Sequence, residues 1–165
     1  MILITPDSSK DFMGKLLVSE AFDSFLLQEA SIITSVTYNI EGRIHKDFFS
    51  EEEREDITEE FVSWSAMRST VFDLIKGRNT PISLKITLAL NTEAMNAVIR
   101  KESPEGRSNG LRALVVNIRF ENGSVNLITG TSYETFTLEK TWEKVWDDTF
   151  TRFLTSKGIE FTLQQ

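Results

Sequence analysis

The dipeptide Asn122-Gly123 joins two segments, Leu111–Glu121 and Ser124–Thr131, in which apolar and polar residues alternate. Asn-Gly is strongly preferred in two-residue hairpin turns, because both turn residues need a positive φ. Such a turn places apolar residues opposite apolar residues, pairing Phe120 with Val125, Ile118 with Leu127 and Val116 with Thr129. The two segments are therefore predicted to form an antiparallel hairpin with one buried face.

A second predicted hairpin begins with a half-buried strand between Leu26 and Ile40. A two-residue turn at Glu41-Gly42 would place charged side chains on the apolar face of the returning strand. A type I turn from Asn39, with Gly42 as a left-handed bulge residue, instead pairs Tyr38 with Ile44, Val36 with Lys46 and Thr34 with Phe48. We prefer the bulged register because it matches apolar with apolar residues. This register puts Arg43, His45 and Asp47 on the same face as Ser35, Thr37 and Asn39.

The remaining segments predict one more strand and several helices. Ile82–Leu90 alternates strictly and is the clearest single strand. Helices are indicated over Ser8–Val18, from the capping box at Ser50, along the apolar stripe from Phe61 to Ile75, after Thr92, and from Thr137 to Gly158. The predicted fold is a single α+β domain over residues 1–165. Its mainly antiparallel sheet has about five strands, two hairpins plus one strand, with helices mostly on one face and short edge strands possible at 1–5 and 159–163.

The composition excludes several classes of function. The chain has no cysteine and one histidine, so it lacks disulfides, thiolate nucleophiles and paired-His zinc motifs. Neither a P-loop nor a Rossmann glycine pattern is complete, and no cofactor or metal is predicted. The net charge of −7 disfavours nucleic acid as a partner. The acidic run after Ser50 is interpreted as charge favourably placed at a helix start rather than as a cation site.

The apolar run at the start ends at Pro6, and no segment approaches a membrane span, so a cytoplasmic location is expected.

The single histidine, His45, has two interpretations. In the first it is a solvent-facing strand residue opposite Thr37. In the second it transfers a proton or orients a ligand, with Arg43, Asp47 and Thr37 beside it, since imidazole suits such chemistry near neutral pH. Nothing in the sequence requires the second interpretation, so no catalytic residue is assigned and enzymatic activity stays open.

Polar residues from all predicted strands collect on the second face of the sheet. The set is Glu29, Ser35, Thr37, Asn39, Arg43, His45, Ser83, Lys85, Thr87, Asn117, Arg119 and Asn126, mixed with Ile33, Val115 and Ile128. This face is too polar for a second core and carries none of the aromatic residues that stack RNA bases. It is ordinary surface, an interface between copies of the chain, or the floor of a ligand site.

Two functional hypotheses follow from that face. The leading one is a non-catalytic module that forms a homodimer through an interface including Ile33, Ser35, Asn117, Arg119 and Ile128. The alternative is a protein or enzyme that binds a small anionic molecule through Arg43, His45, Asp47, Thr37 and Lys85.

Several segments resemble a known family. These are Phe25–Ser31, Asn39–Phe48, Phe72–Gly77 and Thr129–Ser132. They are similar to segments of an uncharacterised family of cytosolic proteins from anaerobic Firmicutes, described only as a domain of unknown function. The resemblance covers most of the chain and implies a bacterial, single-domain, cytosolic protein. It implies no activity and no functional residues.

Overall fold

The computed structural model describes residues 1–164 as an antiparallel sheet with helices packed against it. The strands are β1 Leu3–Pro6, β2 Phe25–Ile33, β3 Thr37–Glu41, β4 Val62–Ser63, β5 Ser83–Leu90, β6 Leu111–Glu121, β7 Ser124–Tyr133 and β8 Phe161–Gln164. The helices are α1 Ser9–Leu17, α2 Glu51–Glu55, α3 Trp64–Ile75, α4 Thr92–Glu102 and α5 Thr141–Ser156. The strand order is β3-β2-β5-β6-β7-β1-β8, and β4 pairs with β2. The predicted α+β class and antiparallel sheet are confirmed, but these residues form eight strands rather than about five.

The hairpin of β6 and β7 has the predicted register. Phe120 pairs with Val125, Ile118 with Leu127 and Val116 with Thr129. Asn122 and Gly123 have φ values of 54° and 74°, the positive angles that a two-residue turn needs. Local turn chemistry and side-chain alternation agree here, and together they specify the register.

The other predicted hairpin is wrong, because the chain turns earlier than Gly42. Ile33 pairs with Thr37 and Ile32 with Tyr38, so Leu26–Ile40 is not one strand. The turn over Thr34–Val36 is closed by the Thr34 amide, which donates to the Val36 oxygen at 2.8 Å. The predicted pairings of Tyr38 with Ile44, Val36 with Lys46 and Thr34 with Phe48 are absent, and Lys46–Phe48 is a short 3-10 helix instead.

Gly42 has a different role from the one predicted. Its φ is not positive, so it is not a left-handed bulge residue. A Cβ at this position would overlap the backbone oxygen of Leu27. The Gly42 amide donates to Gln28 O at 2.8 Å, and its oxygen accepts from Val62 N at 2.8 Å. Glycine is needed here because three backbone segments meet without room for a side chain.

The core lies between one face of the sheet and the helices. Side chains from α1, α3, α4 and α5 join the inward residues of the sheet in one buried cluster, whereas α2 contributes none. Phe25 of β2 and Phe153 of α5 have ring centroids 5.4 Å apart, and those of Trp146 and Phe150 are also 5.4 Å apart. The Trp146 indole donates to Val115 O at 2.8 Å, which satisfies a buried N–H and fixes α5 on β6. The predicted arrangement of helices on one face is confirmed for these four helices.

The predicted helix starts are confirmed at some sites and corrected at others. Ser8 caps α1, and Ser50 forms the predicted capping box with Glu53. The cap of α4 is Asn91, one residue before the predicted Thr92. The last helix begins at Thr141 rather than after Thr137, whose hydroxyl instead accepts from Glu139 N within a loop.

We expect Gly42→Ala to destabilise the protein by at least about 2 kcal/mol, because the added methyl group requires the backbone at Gly42 to move away from the β2 backbone at Leu27. Urea unfolding followed by circular dichroism measures this change. Gly14→Ala is the matched control, since a Cβ there meets nothing within 4 Å. That substitution, in the middle of α1, should be stabilising by about 0.5–1 kcal/mol. An unfolding midpoint for Gly42→Ala equal to that of the wild type would contradict the conclusion that the backbone at Gly42 lies too close to β2 for a side chain.

Candidate functional site

The sheet face turned away from the helices is not covered by the core, and we call it the outer face. Residues opposite one another on neighbouring strands share a face, so the register defines rows of side chains across it. One row is Glu41, Glu29, Thr87, Asn117 and Ile128. The next row is Asn39, Ser31, Lys85, Arg119 and Asn126. All of these residues except Asn126 line a concavity of about 910 Å³.

Like charges lie directly opposite each other in both rows. Glu29 pairs across strands with Glu41, and Lys85 pairs with Arg119. Within residues 1–164, none of Glu29, Lys85 and Arg119 forms an ion pair, while Glu41 has one long contact of 3.8 Å with Arg43 Nε. Like charges in directly opposed positions destabilise a sheet. Glu29, Lys85 and Arg119 therefore do not contribute to the fold through charge pairing.

Neutral polar groups on the outer face are held by hydrogen bonds across strands. The Thr87 hydroxyl donates to Asn117 Oδ1 at 2.8 Å. The Thr5 hydroxyl donates to Asn126 Oδ1 at 2.9 Å and links β1 to β7. These bonds orient the side chains next to Lys85 and Arg119, so the floor around the two cations is ordered.

One end of the outer face is apolar. Leu26, Ala89, Val115 and Gly130 form a row across β2, β5, β6 and β7. Leu26 is only 7% exposed and Ala89 4% exposed, yet neither belongs to the main core cluster. A bulge at Gln28 shifts the register between Leu27 and Glu29, so Leu26 lies on the outer face although regular alternation along the strand would put it on the same face as the buried Ala30.

The residues predicted for the interface fall partly on this face. Asn117, Arg119 and Ile128 line the concavity. Ile33 lies at the end of β2, in the next row of the outer face, opposite Thr37 and Ser83. Ser35 lies in the exposed turn between β2 and β3, outside any strand.

The residues predicted for ligand binding are not brought together. Lys85 lies in the concavity, and Thr37 begins β3. His45 and Asp47 are exposed in and before the 3-10 helix, beyond the sheet. The predicted pairing of His45 with Thr37 is wrong, because Thr37 pairs with Ile33. The misplaced turn accounts for this error.

Arg43 is already engaged by other residues. Its guanidinium contacts the Glu60 carboxylate and lies 5.2 Å from the ring centroid of Phe61. Arg112 of β6 also reaches Glu60, with 3.6 Å between its Nη2 and Oε1 of the glutamate. These contacts tie the segment before α3 to β6, so Arg43 contributes to structure here.

Sequence reasoning missed Glu41 as a member of the outer face. Finding it required the true turn at Thr34–Val36, which sets Glu41 opposite Glu29. The alternation of large apolar residues with smaller or polar ones in Ile82–Leu90 was enough to place Lys85 on this face.

The structure supplies no metal-binding cluster of three or more His, Asp or Glu side chains within residues 1–164. No helix in that part of the chain is both long and apolar enough to cross a membrane.

Comparison with known proteins gives one match. The model described as "Family of unknown function (DUF5721)" matches residues 15–162. No curated protein and no solved structure matches. The family match agrees with the expected resemblance to a domain of unknown function over most of the chain.

We expect Lys85→Gln and Arg119→Gln each to leave the free energy of unfolding of dilute protein unchanged, or to raise it by up to about 0.5 kcal/mol, because each removes one opposed like charge. Urea unfolding at low ionic strength is the measurement. Asn126→Ala is a comparison in the same row that loses the Thr5 hydrogen bond and should be destabilising. If either substitution lowered the free energy of unfolding by more than about 1 kcal/mol, that cation would be shown to stabilise the fold.

Proposed function

We propose that this chain, which belongs to the family of unknown function DUF5721, is a non-catalytic module that associates with a second copy of itself through the outer face. The observation that carries the proposal is the arrangement of like charges, with Glu29 opposite Glu41 and Lys85 opposite Arg119. Each pair is unfavourable in one copy, so its retention calls for a partner of the opposite charge.

The geometry of the two charged pairs suits a symmetric dimer. The acidic pair spans β3 and β2, and the basic pair spans β5 and β6, two strand positions further along. Neighbouring strands are about 4.8 Å apart, so the centres of the two pairs lie roughly 10 Å or more from each other. A two-fold axis lying between stacked sheets and midway between the pairs brings each acidic pair onto the basic pair of the other copy.

The shape of the outer face favours a protein partner over an enclosed small molecule. Small-molecule sites are usually enclosed and largely apolar, whereas this concavity is open to solvent and most of its lining residues are polar or charged. Its volume leaves room for the long charged side chains of a second copy. Ile33 and Ile128 supply apolar contacts between the charged groups, as in interfaces that mix apolar and polar area.

The proposal retains the cytoplasmic, bacterial setting that the sequence resemblance implies. Association on the outer face needs no cofactor, and its strength would depend on charge pairing between copies. Electrostatic interfaces of this kind weaken as ionic strength rises.

A second candidate is the binding of a small anion by Lys85 and Arg119. The supporting observation is that two cations lie opposite each other with no carboxylate bound to either within residues 1–164. Asn117 and Thr87 beside them offer further polar groups. Of the five residues that the sequence predicted for an anionic ligand, only Lys85 is one of the two cations proposed here to bind the anion.

We expect reversal of the basic pair, Lys85→Glu with Arg119→Glu, to abolish the dimer that forms through the outer face at micromolar protein, since both patches then become acidic. Reversal of the acidic pair, Glu29→Lys with Glu41→Lys, should do the same. An equimolar mixture of the two variants should form a heterodimer, because one variant now carries only basic and the other only acidic patches. Sedimentation velocity detects each species.

The matched control is the pair Glu51→Lys with Glu52→Lys on α2, which changes the net charge as the acidic reversal does but lies off the sheet. It should leave the dimer intact. A wild-type protein that stays monomeric at all concentrations would overturn the proposal. A dimer unaffected by both reversals would likewise reject the outer face as its interface.

If Lys85 and Arg119 bind a small anion, inorganic phosphate should raise the melting temperature of the wild type. It should not raise that of the double variant Lys85→Glu with Arg119→Glu. Sodium chloride at equal ionic strength is the control for screening. Equal responses of both proteins to phosphate would remove the anion site from consideration.

A further inference from the structure

An apolar groove lies at the end of the molecule near the turn of the β6–β7 hairpin. It has a volume of about 500 Å³ and runs between α1, the C-terminal end of α3 and the ends of β5 and β6. Its lining includes Met13, Leu17, Val18, Phe72, Ile75 and Pro81. Val18 and Phe72 are exposed there, so the groove presents apolar surface to solvent.

Gly14 borders this groove from the middle of α1. Glycine inside a helix costs about 1 kcal/mol relative to alanine, and it is usually retained where another group approaches the backbone. No atom of the fold lies within 4 Å of a Cβ placed at Gly14. The packing of this chain does not explain the glycine, whereas a segment docked in the groove would.

Two highly exposed large apolar side chains lie in a loop at the other end of β7. Phe136 is 90% exposed and Leu138 is 83% exposed. The loop is fastened at both ends, because Glu134 N donates to Gly110 O at 2.8 Å and Asn109 Nδ2 donates to the Glu139 carboxylate at 3.1 Å. It therefore presents two apolar side chains, spaced by one residue, on a tethered segment.

The charges of the loop and the groove are complementary. Glutamates at 134 and 139 flank the two apolar residues of the loop. Lys10 and Lys76 border the groove, and Arg78 follows in the next loop. Lys10 forms no ion pair within residues 1–164, although Lys76 contacts Asp73 at 2.9 Å. An apolar segment with acidic ends matches an apolar groove with a basic border.

We propose that the loop Glu134–Glu139 of one copy docks into the groove of a second copy, with Phe136 and Leu138 as its apolar anchors. One copy cannot make this contact with itself. The groove lies beside Gly123, before β7, and the loop follows Tyr133, after β7, so about 30 Å of strand separates them. The contact is head to tail, uses different surfaces on the two copies, and is independent of the outer face.

The head-to-tail contact is tested with two full-length variants, both carrying Lys85→Glu and Arg119→Glu so that the outer face does not contribute. The loop variant has Phe136→Ser and Leu138→Ser, and the groove variant has Val18→Glu and Phe72→Glu. The parent, which carries only Lys85→Glu and Arg119→Glu, should be monomeric at micromolar concentration and should associate through the head-to-tail contact as its concentration approaches millimolar. Each variant alone should be monomeric in sedimentation velocity, because each lacks one of the two surfaces. Their equimolar mixture should contain a heterodimer, formed by the intact groove of one and the intact loop of the other.

A parent that stays monomeric up to millimolar concentration, or a mixture that contains only monomers, would overturn the proposal. Because the loop side chains are almost fully exposed, their replacement should leave the circular dichroism spectrum and melting temperature unchanged. Disulfide trapping gives a second readout, since the chain has no cysteine. Thr135→Cys mixed with Val18→Cys should cross-link, whereas Thr135→Cys mixed with Glu51→Cys should not; equal cross-linking in both mixtures would contradict the docking.

Discussion

The packing of α1, α3, α4 and α5 on one face of the sheet determines what the other face can do. Aromatic rings from β2 and α5 form the centre of that packing, with Phe25 and Phe153 in edge contact and Trp146 bonded to the β6 backbone. Truncating a buried aromatic residue of this kind to alanine typically costs about 3–5 kcal/mol. Because the inward residues already satisfy the hydrophobic requirement of the sheet, the outer face is free to carry charge.

The two opposed like-charge pairs on the outer face lower the stability of a single copy of the chain. A sheet optimised only for folding would set Glu29 opposite a cation and Lys85 opposite a carboxylate. The observed order places acid directly opposite acid and base directly opposite base, so neither of these two opposed pairs is complementary within one copy. This arrangement is typical of surfaces selected for a partner, because specificity often costs the isolated chain some stability.

Sequence reasoning succeeded where a local signal and the alternation pattern agreed. Asn122-Gly123 defined both the turn and the register of β6 and β7, and the alternation of Ile82–Leu90 placed Lys85 on the outer face. It failed at Thr34–Val36, because that turn contains no Gly, Asn or Pro and is closed by backbone and hydroxyl groups of Thr34. Because the predicted returning strand does not exist, His45 and Asp47 do not lie on the outer face where they were predicted.

Two further features depended on tertiary contacts that the sequence does not display. The bulge at Gln28 reverses the face of Leu26. The two residues of β4 are held by their pairing with β2 and by the hydrogen bond from Val62 N to Gly42 O. Gly42 resembles a turn glycine in the sequence, but it serves a close approach of backbones. Period-two patterns therefore predicted correctly which residues of the long regular strands share a face. They gave the wrong face for residues beyond a bulge or an unrecognised turn.

The most direct test of the outer face as a contact surface is methyl NMR of isoleucine side chains as a function of protein concentration. Ile33 and Ile128 lie on the outer face, while Ile86 and Ile118 lie on the buried face of the same sheet. Association through the outer face predicts that the resonances of Ile33 and Ile128 shift on dilution and those of Ile86 and Ile118 do not. Resonances of Ile33 and Ile128 that stay fixed from micromolar to millimolar protein would contradict the account.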